Sequence, residues 1–126
     1  MSALVRALAL GRVAVGVAMI ARPELAVRGW IGTRAASYGG TQTLTQACGI
    51  RDLSLGAGTL RALMSGGDAR DWVLLAAAAD AVDFYATATA EDIPASGRVL
   101  VMGLAAGAVA VSVAYAASTE RGSTVV

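Results

Sequence analysis

The sequence predicts an all-α protein, a four-helix transmembrane bundle with short loops, and three observations lead there. Apolar residues make up 56% of the chain and charged residues 15%, against about a quarter charged in an ordinary water-soluble domain. The apolar excess is mostly Ala, Val, Leu and Gly, a composition suited to helices packed closely in lipid. Four stretches of helical length, about 3–21, 40–64, 71–90 and 99–118, are parted by breaks at Pro23, Ser65–Arg70 and Glu91–Arg98. The 126 residues make one domain by length, with the bundle over 1–118 and a polar, frayed tail over 119–126.

The first stretch stops at Pro23, which cannot continue a helix without losing a hydrogen bond. Arg6 precedes its apolar run and Arg12 interrupts it, with no small-residue cleavage pattern behind them. It therefore reads as a retained segment and not a removed signal. For Pro23–Ile31 two readings stand. One is a short interfacial helix with Pro in its first turn, Leu25, Val27, Trp30 and Ile31 dipping into lipid and Arg22, Glu24 and Arg28 among the headgroups. The other is a connecting loop.

The second stretch is the least apolar, and its pattern explains why. Gln42, Gly49 and Gly56 recur at heptad spacing, as do Thr45, Asp52 and Thr59. This sets a seam of small and polar residues down one helical face, with Leu53, Leu60 and Met64 away from it. In the third stretch Ala76, Asp80, Asp83 and Thr87 share one face, while Leu75, Val82 and Tyr85 form an apolar one. The fourth stretch has no charge and meets the length of about 20 apolar residues that spans a hydrocarbon core. Its Gly103-Leu104-Ala105-Ala106-Gly107 has the GxxxG spacing that permits close helix approach. The fourth helix is expected to be a lipid-facing clamp. Short links predict antiparallel neighbours, and the arginines in the loops are too evenly divided to orient the chain.

Five charges fall inside these apolar stretches: Arg12, Arg51, Asp52, Asp80 and Asp83. Charge at such positions is expensive and turns toward a protein interior or an aqueous cavity. Two positives face three negatives, so either Arg6 or Arg61 snorkels in or one carboxylate stays neutral. Such a network can fix helix register, or it can bind a ligand or relay a proton.

The excluded chemistry is as informative. A net charge of +1 without a basic stripe excludes a nucleic-acid partner. With no His and one cysteine, ordinary zinc or haem ligation and an intrachain disulfide are out, and no cofactor is expected. No nucleophile stands beside a His base, so an enzyme is disfavoured. Cys48, one turn before Asp52, reads as a small packing residue, since a reactive thiol needs an accessible, electropositive setting.

Gly11-Arg12-Val13, then Pro23 with Arg28-Gly29-Trp30-Ile31-Gly32, then Gly49-Ile50-Arg51-Asp52-Leu53-Ser54-Leu55-Gly56, then Asp80-Ala81-Val82-Asp83 follow one another in order. This order resembles a family of small four-helix integral membrane proteins, common in actinobacteria and known only as a domain of unknown function. The resemblance covers most of the chain and implies a fold class and a membrane location, with no catalytic residue to carry over. Small multidrug exporters share the length and helix count but look for an acidic residue in the first helix, where this chain carries Arg6 and Arg12.

The expectation is a multi-pass protein of the cell membrane, non-enzymatic, acting as an accessory or small-ligand-binding protein through Arg12, Arg51, Asp52, Asp80 and Asp83. Its partners are the lipid bilayer and either a second copy or another membrane protein. The alternative is a proton- or cation-coupled carrier using Asp80 or Asp83. At the level of fold, the alternative is a soluble helical bundle.

Overall fold

In the computed structural model, which describes the backbone of residues 1–123 and the side chains of 1–119, α1 (Ser2–Ala21) ends where Pro23 opens α2 (Pro23–Ile31). The proline sits at the first helical position, where its missing N–H leaves no bond unmade. Gly32 ends α2 at φ +88°, in the region that glycine adopts without strain. A single turn, α3 (Thr33–Ala36), leads into α4 (Gly39–Met64). Gly66 closes α4 at φ +69°, and the Gly67 N–H returns to the Ala62 carbonyl at 3.0 Å. That bond from beyond a left-handed residue is a Schellman stop. Asp68 accepts the Arg70 N–H at 2.8 Å as α5 (Arg70–Thr89) begins, and α6 (Ala95–Ser123) follows Pro94.

The described chain is all-α, with six helices and no strand among the described residues. Four are long, as expected; two are short. The Pro23–Ile31 segment is a helix, and α3 is an addition the periodicity does not announce, because one turn is too short to carry a pattern. The expected tail is a correction: helix continues from Thr119 through Ser123, since nothing before Ser123 breaks it, and residues 124–126 lie outside the described residues. Among the described residues, only α1 and the Ala95–Thr119 part of α6 are both long and apolar enough to cross a membrane. Arg51, Asp52 and Arg61 in α4 and Arg70, Asp71, Asp80 and Asp83 in α5 lower the hydropathy of the other two.

Two antiparallel pairs, α1 with α4 and α5 with α6, make the most extensive contacts. The first pair is drawn together by glycine. A Cβ on Gly16 would lie 2.6 Å from the Gly49 carbonyl oxygen, and one on Gly56 would lie 2.6 Å from that of Ala9. The heptad seam of α4 is thus the buried face, with Thr45, Gly49, Asp52, Gly56 and Thr59 all inside. On α5 the buried set is Val73, Ala76, Ala77, Asp80 and Thr87, and Leu75, Val82 and Tyr85 are exposed.

Small apolar clusters close the two ends. Val5, Ala69 and Val73 meet at one, and Met19, Val27 and Ala36 at the other. At the latter end Trp30 Nε1 donates to Thr87 Oγ1 at 3.2 Å. Arg98 donates to the Thr87 and Ala88 carbonyls, each at 2.9 Å, and so satisfies carbonyls that the end of α5 leaves open.

Polar side chains are buried in this bundle beside apolar ones such as Ala9, Val27 and Val73, while many large apolar side chains lie outside. Its largest fully buried side chain is Thr87, and Asp52, Asp80, Thr45, Thr59 and Ser112 are buried with it. Met64 at 82% exposure, Val99 at 74%, and Leu44 and Tyr85 at 69% lead a long series of exposed large apolar residues.

Candidate functional site

The helical period that places Asp52 on the α4 seam and Asp80 and Asp83 on one face of α5 aims all three carboxylates at the junction of the two pairs. Arg12, eleventh of the twenty residues of α1, reaches the same level. Its Nη1 donates to Asp52 Oδ1 at 3.2 Å, and its Nη2 donates to the Ala76 carbonyl at 3.3 Å and to Asp80 Oδ2. Arg51 donates through Nε and Nη2 to Asp52 Oδ1, at 3.4 and 3.3 Å. It also grips Asp83 with two parallel bonds, Nη1 to Oδ1 at 3.1 Å and Nη2 to Oδ2 at 2.8 Å.

All five predicted residues therefore meet in one chain of alternating sign, Asp80–Arg12–Asp52–Arg51–Asp83. Arg6 and Arg61 are exposed and neither joins it among the described residues. Of the two ways to balance the charge that the sequence leaves open, an added arginine is not found among the described residues, since α1 and α4 turn Arg6 and Arg61 outward. Formal charge stays at −1, with two arginines against three aspartates.

The network forms the floor of an open-sided cavity of about 280 Å³ between α1, α5 and α6. Arg12, Asp52, Asp80 and Asp83 line it together with Leu8, Gly11, Val15, Val101, Leu104 and Ala105. Sequence reasoning missed the contribution of α6. Its charge-free run reads as an outer clamp, yet Val101, Leu104, Ala105 and Ala108 form one wall of the cavity. The buried positions Ala105, Ser112 and Ala116 lie at helical spacing, which was the available signal. Gly103 and Gly107 instead face open space, and a Cβ added at either would meet nothing within 4 Å.

Chemically, the site offers carboxylate oxygens beside an apolar wall. Asp80 spends only Oδ2, and Asp52 only Oδ1, on hydrogen bonds among the described residues. Cys48 is half-buried near Met19, Val27 and Ala36, away from the cavity. Among the described residues no group of His, Cys, Asp and Glu is arranged to hold a metal ion. Protein-family models, curated proteins and solved structures were all compared with this chain, and none matches it.

Proposed function

We propose that this chain is a small multi-pass protein of the cell membrane, non-enzymatic, that holds a small ligand or an accessory partner at its Arg/Asp network. Buried carboxylates together with many exposed large apolar side chains are the observation that carries the reading. Water-soluble helices bury large apolar side chains and expose charge, whereas here Asp52, Asp80 and Thr87 are buried and Leu44, Val82, Tyr85 and Leu104 are exposed. In the membrane-length parts of α1 and α6 only 22% of residues are buried, so these are not the enclosed core helices of a soluble domain. The resemblance of the residue pattern to small four-helix membrane proteins is in keeping with this reading.

In this setting α4 and α5 cross as well, shielded by the paired helices. Arg12 lies about 15 Å from either end of α1 at 1.5 Å per residue, which is mid-depth in a core about 30 Å thick. Charges at that depth are tolerated when they pair inside a bundle. Alkaline extraction of expressing cells tests the location: the protein is expected to stay with the membrane pellet and to need detergent. Quantitative release into buffer would refute the proposal.

A cation-coupled carrier is the second reading, favoured by the placement of Asp80 and Asp83 on the cavity floor. It requires cation-dependent flux into proteoliposomes that Asp80→Asn or Asp83→Asn removes while the protein stays folded. Normal flux in both variants would end it.

A further inference from the structure

We infer that the cavity between α1, α5 and α6 binds a small alkylammonium ion, its N–H groups on Asp80 and its chain along Leu8, Val15, Val101 and Leu104. This rests on reading the network as lying in the membrane interior.

Charge is the first reason. The five linked side chains carry a formal −1, and no further arginine joins them among the described residues. An unbalanced charge away from water is costly, and a monocation in the adjoining cavity removes the imbalance. Acceptor capacity is the second. Asp83 uses both oxygens on Arg51, while Asp80 keeps Oδ1 and Asp52 keeps Oδ2 without a hydrogen bond among the described residues. An ionised carboxylate accepts at both oxygens, and both residues line the cavity.

Shape and lining narrow the class. About 280 Å³ is at the small end of ligand pockets, which start near about 300 Å³, and the wall above the carboxylates is aliphatic. Among the described residues no aromatic ring lines the cavity, so they offer no face of the kind that recognises quaternary ammonium ions. The selected cation must instead donate N–H bonds. Anions are opposed by the net charge, and Arg12 already gives its donors to Asp52, Asp80 and the Ala76 carbonyl.

The test is equilibrium dialysis of labelled n-hexylammonium against the full chain in nanodiscs, with empty nanodiscs as the baseline. Saturable binding is expected, displaced by unlabelled n-hexylammonium and by neither tetraethylammonium nor hexanoate. Asp80→Asn should weaken it by about tenfold or more, the loss of one charge-assisted hydrogen bond. Gly11→Leu is the second variant. Gly11 lines the cavity, a Cβ there meets nothing within 4 Å, and leucine is the better helix former, so the substitution is expected to crowd the cavity mouth. It should abolish binding while circular dichroism and monodispersity stay those of wild type.

No binding above empty nanodiscs overturns the inference, as does binding that Gly11→Leu leaves unchanged. Binding of tetraethylammonium as tight as that of n-hexylammonium overturns it too. Stabilisation by acid alone, without ammonium uptake, would assign the missing charge to a proton and also overturn it. Alkaline extraction reads the membrane location separately, so a membrane-retained protein that binds no ammonium sinks this inference and leaves the location standing.

Discussion

Arg51 on α4 and Asp83 on α5 meet end-on, Nη1 3.1 Å from Oδ1 and Nη2 2.8 Å from Oδ2. Two parallel N–H···O bonds are a geometry that a guanidinium makes and an ammonium cannot. Arg51→Lys keeps the charge and loses the fork. Since both side chains are partly exposed, the expected loss is modest, about 1 kcal/mol, read as a lower thermal midpoint in detergent. An unchanged midpoint would show that the fork does not join α4 to α5.

Arg12 has a heavier role, because it alone separates Asp52 from Asp80, and all three side chains are largely buried. Arg12→Met strands Asp80 and leaves Asp52 to Arg51 alone, and should destabilise by about 3–5 kcal/mol. Arg12→Met combined with Asp80→Leu should be milder than Arg12→Met alone, because the stranded charge on α5 goes too. A denaturation double-mutant cycle measures this coupling, and strict additivity would contradict the contact.

The glycines divide into two groups with opposite expected responses. A Cβ on Gly49 lies 2.9 Å from both the Gly16 carbonyl oxygen and the Met19 Cβ, so Gly49→Val must push α1 away from α4. Overpacking of this kind costs about 1–3 kcal/mol. Gly107→Ala meets open space and should gain about 0.5–1 kcal/mol from backbone entropy. Unfolding midpoints of the two variants in the same detergent check both signs.

The alternation of α1, α4, α5 and α6 brings Ser2 and Ser65 to one end of the bundle and Ser37 to the other. In a Cys48→Ala background, an impermeant thiol reagent should label Ser2→Cys and Ser65→Cys from the same side of sealed vesicles. Ser37→Cys should react only from the opposite side. Labelling of all three from one side would contradict four membrane crossings.

Much of this site is legible in the sequence. A helix repeats every 3.6 residues, so the spacing of Thr45, Asp52 and Thr59, and of Ala76, Asp80 and Thr87, specifies shared faces, and those residues are buried. Asp83 is on the same face and reaches Arg51. The breaks at Pro23 and Gly66 follow from backbone chemistry at single residues. The cavity could not be read this way, because its volume depends on how far α6 stands from α1, a distance no local pattern encodes.

The two small faces of α6 mark the boundary between these kinds of information. Gly103 with Gly107 reads as a packing stripe by spacing, whereas Ala105, Ser112 and Ala116 carry no such motif. Tertiary structure turns the second inward and leaves the first in the open. Composition and helical period determine that the chain is helical, where its long helices break and which residues share a face, since these depend on neighbours in sequence. Which helices pair, which carboxylate each arginine takes, and that the charges stop one short of neutrality are decided by contacts between distant segments, where shape and charge must match across a whole interface.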